Sequence, residues 1–138
     1  MWIRLFVLSA CLLALAACDP PTLAQPEGGT GGGTFTLVYT YPKDKATGIP
    51  TDSPLVVIFN EDVDPASLEG NLAVAKTGGG VVKGAITYDS PDFQATVTPP
   101  GTGWTGTSEY TLTVKTGVKS KDGTKTLDKE YTVGFKTK

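Results

Sequence analysis

Apolar residues are distributed along the chain in two ways. Leu5 to Ala17 is a run of thirteen interrupted only by Ser9 and Cys11. After a polar gap, from Phe35 onward, they come in short groups separated by turn residues. Phe35–Thr40 is rich in aromatic and β-branched residues, Leu55–Phe59 is continuously apolar between Pro54 and Asn60, and Asn71–Ala75 is a shorter group. Val81–Tyr88 and Phe93–Thr98 flank Asp89-Ser90-Pro91-Asp92, a turn signal that predicts a hairpin. Tyr110–Lys115 and Tyr131–Lys136 alternate with period two, so their apolar side chains face a core and their Thr and Lys face water. Seven strands with turns between them predict an all-β, seven-stranded β-sandwich. The one helical piece expected is a turn at Asp64–Leu68, with Asp64 as its cap and Pro65 at its first position.

The first run has a different meaning. It follows Met1-Trp2-Ile3-Arg4, a short segment with one positive charge. The uncharged stretch from Leu5 to Cys18 is fourteen residues, short of the roughly 20 needed to span hydrocarbon. Asp19-Pro20-Pro21 then stops it. This is the pattern of a secretory signal. Its end, Leu15-Ala16-Ala17-Cys18, resembles the lipobox of bacterial lipoproteins. The resemblance implies cleavage after Ala17 and lipidation of Cys18. Leu8-Ser9-Ala10-Cys11 fits the same pattern, but it would leave Leu12–Ala17 as an apolar stretch on the mature chain, so Cys11 is expected to leave with the signal. One acyl chain holds a protein to a membrane only marginally, whereas two or three on one cysteine hold it stably. The membrane, through this anchor, is the first expected partner.

Asp19–Thr34 reads DPPTLAQPEGGTGGGT and has almost nothing to bury. It is expected to be a flexible tether, with a root-mean-square span of about 20–24 Å and a full reach of roughly 55 Å. The expected organisation is therefore a signal peptide over 1–17, lipidated Cys18 and tether over 18–34, and one domain over 35–138.

Composition narrows the function. Cleavage removes 17 of 138 residues and leaves 121, the size of one domain. Arg4 is the only arginine, so the twelve basic residues become eleven lysines against fourteen carboxylates. A mildly acidic chain without arginine is a poor binder of nucleic acid, and no nucleic-acid partner is expected. There is no histidine, hence neither the usual general base near neutral pH nor the commonest metal ligand. Cys18 is the one cysteine left after processing, so no disulfide and no thiolate nucleophile are expected.

Several motifs beyond Phe35 resemble the bacterial Ig-like domains of S-layer and other cell-surface proteins. Tyr41–Pro50 (YPKDKATGIP) is similar to the family's P-x-D-x-A-T-x-V-P opening. Leu55–Pro65 resembles its strand ending in Phe, an acidic turn and V-D-P; Gly84–Asp89 resembles the fourth strand. Thr107–Val114 resembles T-x-Y-T-x-T-V, and Phe135-Lys136-Thr137 the closing F-x-T. Lys119–Thr124 stands where the family often has D-x-x-G-N. The match spans about residues 36–137 and implies an all-β, seven-stranded Ig-like β-sandwich with Greek-key connections.

Candidate chemistry is sparse. Glu61, Asp62 and Asp64 fall in one turn and are the candidate Ca²⁺ ligands; the bland alternative is a solvated acidic turn in which Asp64 caps the helical piece. No cofactor is expected. Asp122-Gly123 predicts a hairpin turn. Gly78-Gly79-Gly80 lacks the Lys-Ser/Thr and the following helix of a phosphate loop, so it reads as a hairpin tip. Trp104 is expected to plug one end of the core rather than to serve as an exposed recognition aromatic. Tyr110 is expected at a corner with its hydroxyl bonded to backbone. Of Tyr39 and Tyr41, one is expected to be exposed on an edge strand. A Ser–Lys dyad stays open, although no histidine can activate a serine. Three readings follow: a lipid-anchored, non-catalytic module of the cell envelope that binds a protein or glycan; a structural spacer or accessory subunit; a small hydrolase.

Overall fold

The computed structural model describes residues 33–138. The expected signal peptide, the expected cleavage site at Ala17, Cys18 and most of the expected tether lie outside the described residues. Nine strands form two sheets: β1 (Leu37–Tyr41), β2 (Ala46–Ile49), β3 (Leu55–Phe59), β4 (Leu72–Lys76), β5 (Val81–Val82), β6 (Ala85–Asp89), β7 (Gln94–Thr98), β8 (Glu109–Val114) and β9 (Tyr131–Thr137). The first sheet has the order β1-β3-β7-β6 and the second β2-β9-β8-β4-β5. All pairings are antiparallel except β2 with β9. Only β4–β5, β6–β7 and β8–β9 are neighbours both in sequence and within a sheet. The other connections cross between the sheets, which is the Greek-key pattern of an Ig-like sandwich.

The strand count corrects the expected seven, for two physical reasons. The first strand does not end the first edge: after a turn at Pro42–Lys45 the chain joins the other sheet as β2, alongside β9. The single run Val81–Tyr88 is in fact two strands. Val81 and Val82 pair with β4, whereas Ala85–Asp89 pair with β7, and Lys83-Gly84 carries the chain from one sheet to the other. A Cβ on Gly84 would lie 2.3 Å from the Thr98 carbonyl oxygen, so only glycine lets the backbone cross there.

The core sits between the sheets. The inward set of β3 is Leu55, Val57 and Phe59, that of β7 is Ala95 and Val97, and that of β8 is Tyr110, Leu112 and Val114. Each follows from period-two alternation with one face buried. Phe35, just before β1, is buried against Phe59, with ring centroids 5.5 Å apart. Strand β1 breaks the expected alternation. A register shift between Leu37 and Tyr39 turns the later residues over, so Thr40 faces in and both tyrosines face out. A 3-10 turn at Pro65–Ser67 has Asp64 as its N-cap, accepting from the Ala66 N–H at 3.1 Å, as the sequence predicts. Among the described residues, no helix is long and apolar enough to cross a membrane.

The two ends of the sandwich differ. Residues 34–36 run in beside Asn60, whose side chain donates to Thr34 O and accepts from Thr36 N, and beside Asp128, whose N–H reaches Phe35 O. The loops after β3, between β6 and β7, and between β8 and β9 lie at this end. The loops between β2 and β3, between β4 and β5, and between β7 and β8 lie at the other, where Thr107 N bonds Lys138 O.

Candidate functional site

The acidic turn after β3 gathers two of the three ion pairs found among the described residues. Its three carboxylates do not converge; each is engaged by a different partner. Glu61 takes a bidentate contact from Lys125 Nζ at 3.0 and 2.9 Å. Asp64 caps the 3-10 turn. Asp62 holds the most contacts. Its Oδ1 accepts from the Tyr88 hydroxyl at 2.6 Å and the Val63 N–H at 3.0 Å. Its Oδ2 accepts from Ser90 Oγ at 2.8 Å and pairs with Lys121 Nζ at 2.9 Å. Burial opposes ionisation of Asp62, but the bonds from Tyr88, Lys121, Ser90 and Val63 outweigh it and bring the carboxyl down to about 2. For Tyr88, burial and the same bond to Asp62 push the phenol up, so it stays a donor.

The backbone completes the cluster. Lys121 N–H donates to Asp62 O at 2.9 Å and Asp64 N–H to Lys119 O at 3.0 Å. The late loop has its own small hairpin, with Lys119 opposite Thr126 and Gly123 N–H bonded to Ser120 O. Asp122 accepts from Ser120 Oγ, Thr124 N and Thr124 Oγ1, and these bonds bring its carboxyl to about 2. The expected turn at Asp122-Gly123 is therefore present. Chemically, the arrangement is a clasp that fastens the loop between β8 and β9 onto the end of β3 and the β6–β7 turn. No group of three or more metal-ligating side chains occurs among the described residues. Glu61, Asp62 and Asp64 thus have protein donors where a cation would need open oxygens.

The clasp also brings a serine and a lysine together. Lys121 Nζ lies 3.4 Å from Ser90 Oγ. The ammonium is ion-paired with Asp62 and the serine already donates to the same carboxylate, so neither is arranged to pass the serine proton to a base.

At the other end, Trp104 is 2% exposed and donates from Nε1 to Ser53 O at 2.8 Å. Its ring meets Tyr110 at 5.5 Å, and Tyr110 stacks on Phe135 at 5.5 Å. The Tyr110 hydroxyl accepts from Thr105 N at 2.7 Å, which is the expected corner. Tyr39 and Tyr41 are 39% and 37% exposed on β1, an edge strand, so both lie outside rather than one. Lys43 Nζ sits 3.7 Å from the centroid of the Tyr39 ring. Tyr88, Ser90 and Lys121 were not legible as Asp62's partners; the acidic turn was the only local signal.

Solved structures share this architecture. CopC from Methylosinus trichosporium OB3b aligns at 18% identity and a TM-score of 0.60, over 75% of this chain and 92% of that one. The S-layer protein SbsC aligns at 20% identity and a TM-score of 0.54, over 75% of this chain and 14% of that one. The α-2-macroglobulin of E. coli aligns at 18% identity and a TM-score of 0.56, over 78% of this chain and 6% of that one. At these identities the likeness is one of fold. No curated protein matches the sequence. A family model described as a bacterial Ig-like domain matches residues 33–137, and the chain belongs to that family.

Proposed function

We propose that the protein is a lipid-anchored module of the bacterial cell envelope, in which Cys18 holds the membrane and the Ig-like domain binds an envelope protein or glycan without catalysis. The observation that carries this reading is an Ig-like domain over residues 33–137 that follows, after a Pro- and Gly-rich segment, a sequence resembling a lipobox, Leu15-Ala16-Ala17-Cys18. The geometry around Ser90 and Lys121 supports the non-catalytic part, because the pair is held by Asp62. Residues 34–36 enter the domain at the end that bears Asn60 and the clasp, so the loops Thr77–Gly80 and Thr105–Ser108 at the opposite end are clear of the entering chain and are the surface assigned to the partner. A spacer or accessory role is the second reading. It is favoured by the likeness to S-layer protein SbsC, of which this chain spans 14%.

Two measurements test the proposal. Cells carrying Cys18→Ala should release or mislocalise the protein, and the natural protein should gain the mass of a diacylglyceryl group at a new N-terminus. A variant that remains membrane-bound with normal processing overturns the anchor. Cross-linking in intact cells, with residues 77–80 or 105–108 replaced, should lose a specific neighbour; unchanged neighbours would favour the spacer reading.

A further inference from the structure

The sandwich is open along one side, where β5 and β6 belong to different sheets. A cleft of about 380 Å³ runs there, walled by Leu72, Val82, Ile86 and Val97. Strand β5 is only two residues long and cannot cover the gap, and Val81 at its lip is 68% exposed. Gly84, which also borders the cleft, packs too close to Thr98 O for any side chain. Lys83 and Lys115 border it, as does Glu69, leaving a net positive charge of one at the rim. Among the described residues, none of the three takes part in an ion pair.

We propose that this cleft binds a single-chain amphiphile with a carboxylate head, such as a free fatty acid. The apolar walls fit an alkyl chain, and burying each methylene is worth about 0.8 kcal/mol. The volume equals that of roughly a dozen liquid waters at about 30 Å³ each, enough for part of one chain but not for the two of a diacyl lipid. Lys83 and Lys115 both border the cleft and so offer ammonium groups to the head of such a chain, and Lys115 Nζ lies 3.4 Å from Gly70 O. An anionic head is therefore favoured over a cationic one. This site is independent of the partner and the anchor, since it needs neither Cys18 nor the loops at 77–80 and 105–108.

The test is photo-labelling of the full chain in intact cells with diazirine-bearing hexadecanoate, followed by peptide mass spectrometry. Label is expected on residues 69–86, 97 and 115. Excess hexadecanoate should compete it away, and hexadecyltrimethylammonium should not. The double variant Lys83→Glu, Lys115→Glu alters two exposed side chains and should cut labelling about tenfold, with unchanged protein level. Val82→Trp, which fills the cleft, should cut it as well. Label spread evenly over the surface, equal competition by the cationic amphiphile, or full labelling of both variants overturns the proposal. So does a protein cross-link that occupies the same residues in place of the label.

Discussion

The hydroxyl of Tyr88, on β6, donates to Oδ1 of Asp62 at 2.6 Å and accepts the Val63 N–H at 2.8 Å. One phenol thereby ties the edge of the first sheet to the turn that follows β3. Ser90 and Lys121 approach the other oxygen of the same carboxylate, so the β6–β7 hairpin and the late loop both meet on Asp62. The acidic turn is held by contacts within the protein, and its function in the fold is to close the end of the sandwich where the chain enters.

Tyr88→Phe removes the donor to Asp62 while keeping the ring that packs on the core. A hydrogen bond to a charged group contributes about 1.5–3 kcal/mol. The half-buried site and the remaining donors, Ser90 and Lys121, place the loss near the lower figure. The urea midpoint of the purified variant should fall accordingly with an unchanged slope. An unchanged midpoint would mean that the bond adds nothing to stability.

The same carboxylate sets an acid limit. Asp62 titrates at about 2 in the folded protein against 3.8 unperturbed. Between those values the unfolded chain takes up a proton that the native state does not, so stability falls as pH drops from about 4 to 2 and is fully present above that window. Solvent screening at this partly exposed group reduces the effect to about 1 kcal/mol. Asp62→Asn should be less stable than the natural protein at pH 6, and the difference should shrink towards pH 2. Asp122, also held at about 2, contributes to both proteins and cancels in the comparison. Denaturant midpoints measured at several pH values decide it.

Much of the sandwich is legible in the sequence because one buried face imposes period two. The inward residues of β8 and β9 can be read directly, as can the cap at Asp64 and the corner at Tyr110, whereas β3 shows only as a continuous apolar run. Strand β2 cannot: Ala46–Ile49 buries only Ile49 and is held by a parallel neighbour from the far end of the chain. The outward turn of Tyr39 and Tyr41 is equally hidden, since a one-residue shift reverses every side chain without changing the composition. The acidic turn is visible as three carboxylates, but the donors to Asp62 arrive from a hairpin and a late loop. Tyr88 reads as an ordinary strand aromatic and Ser90 as a turn residue until the fold brings them together.

The split of Val81–Tyr88 into two strands rests on Gly84, and the residue offers a direct test. A Cβ there would meet Thr98 O at 2.3 Å and Val97 Cγ1 at 2.8 Å, contacts that require backbone to move. Gly84→Ala should lower stability by about 1–3 kcal/mol, the usual range for forcing atoms into filled space. Gly80, in the hairpin tip, has nothing within 4 Å of the same added atom. Gly80→Ala should therefore leave stability unchanged or raise it slightly by restricting the unfolded chain. If both variants unfold at the same urea concentration as the natural protein, the chain does not cross between the sheets as tightly as Gly84 implies. If only Gly84→Ala falls, the close approach to Thr98 is what separates β5 from β6.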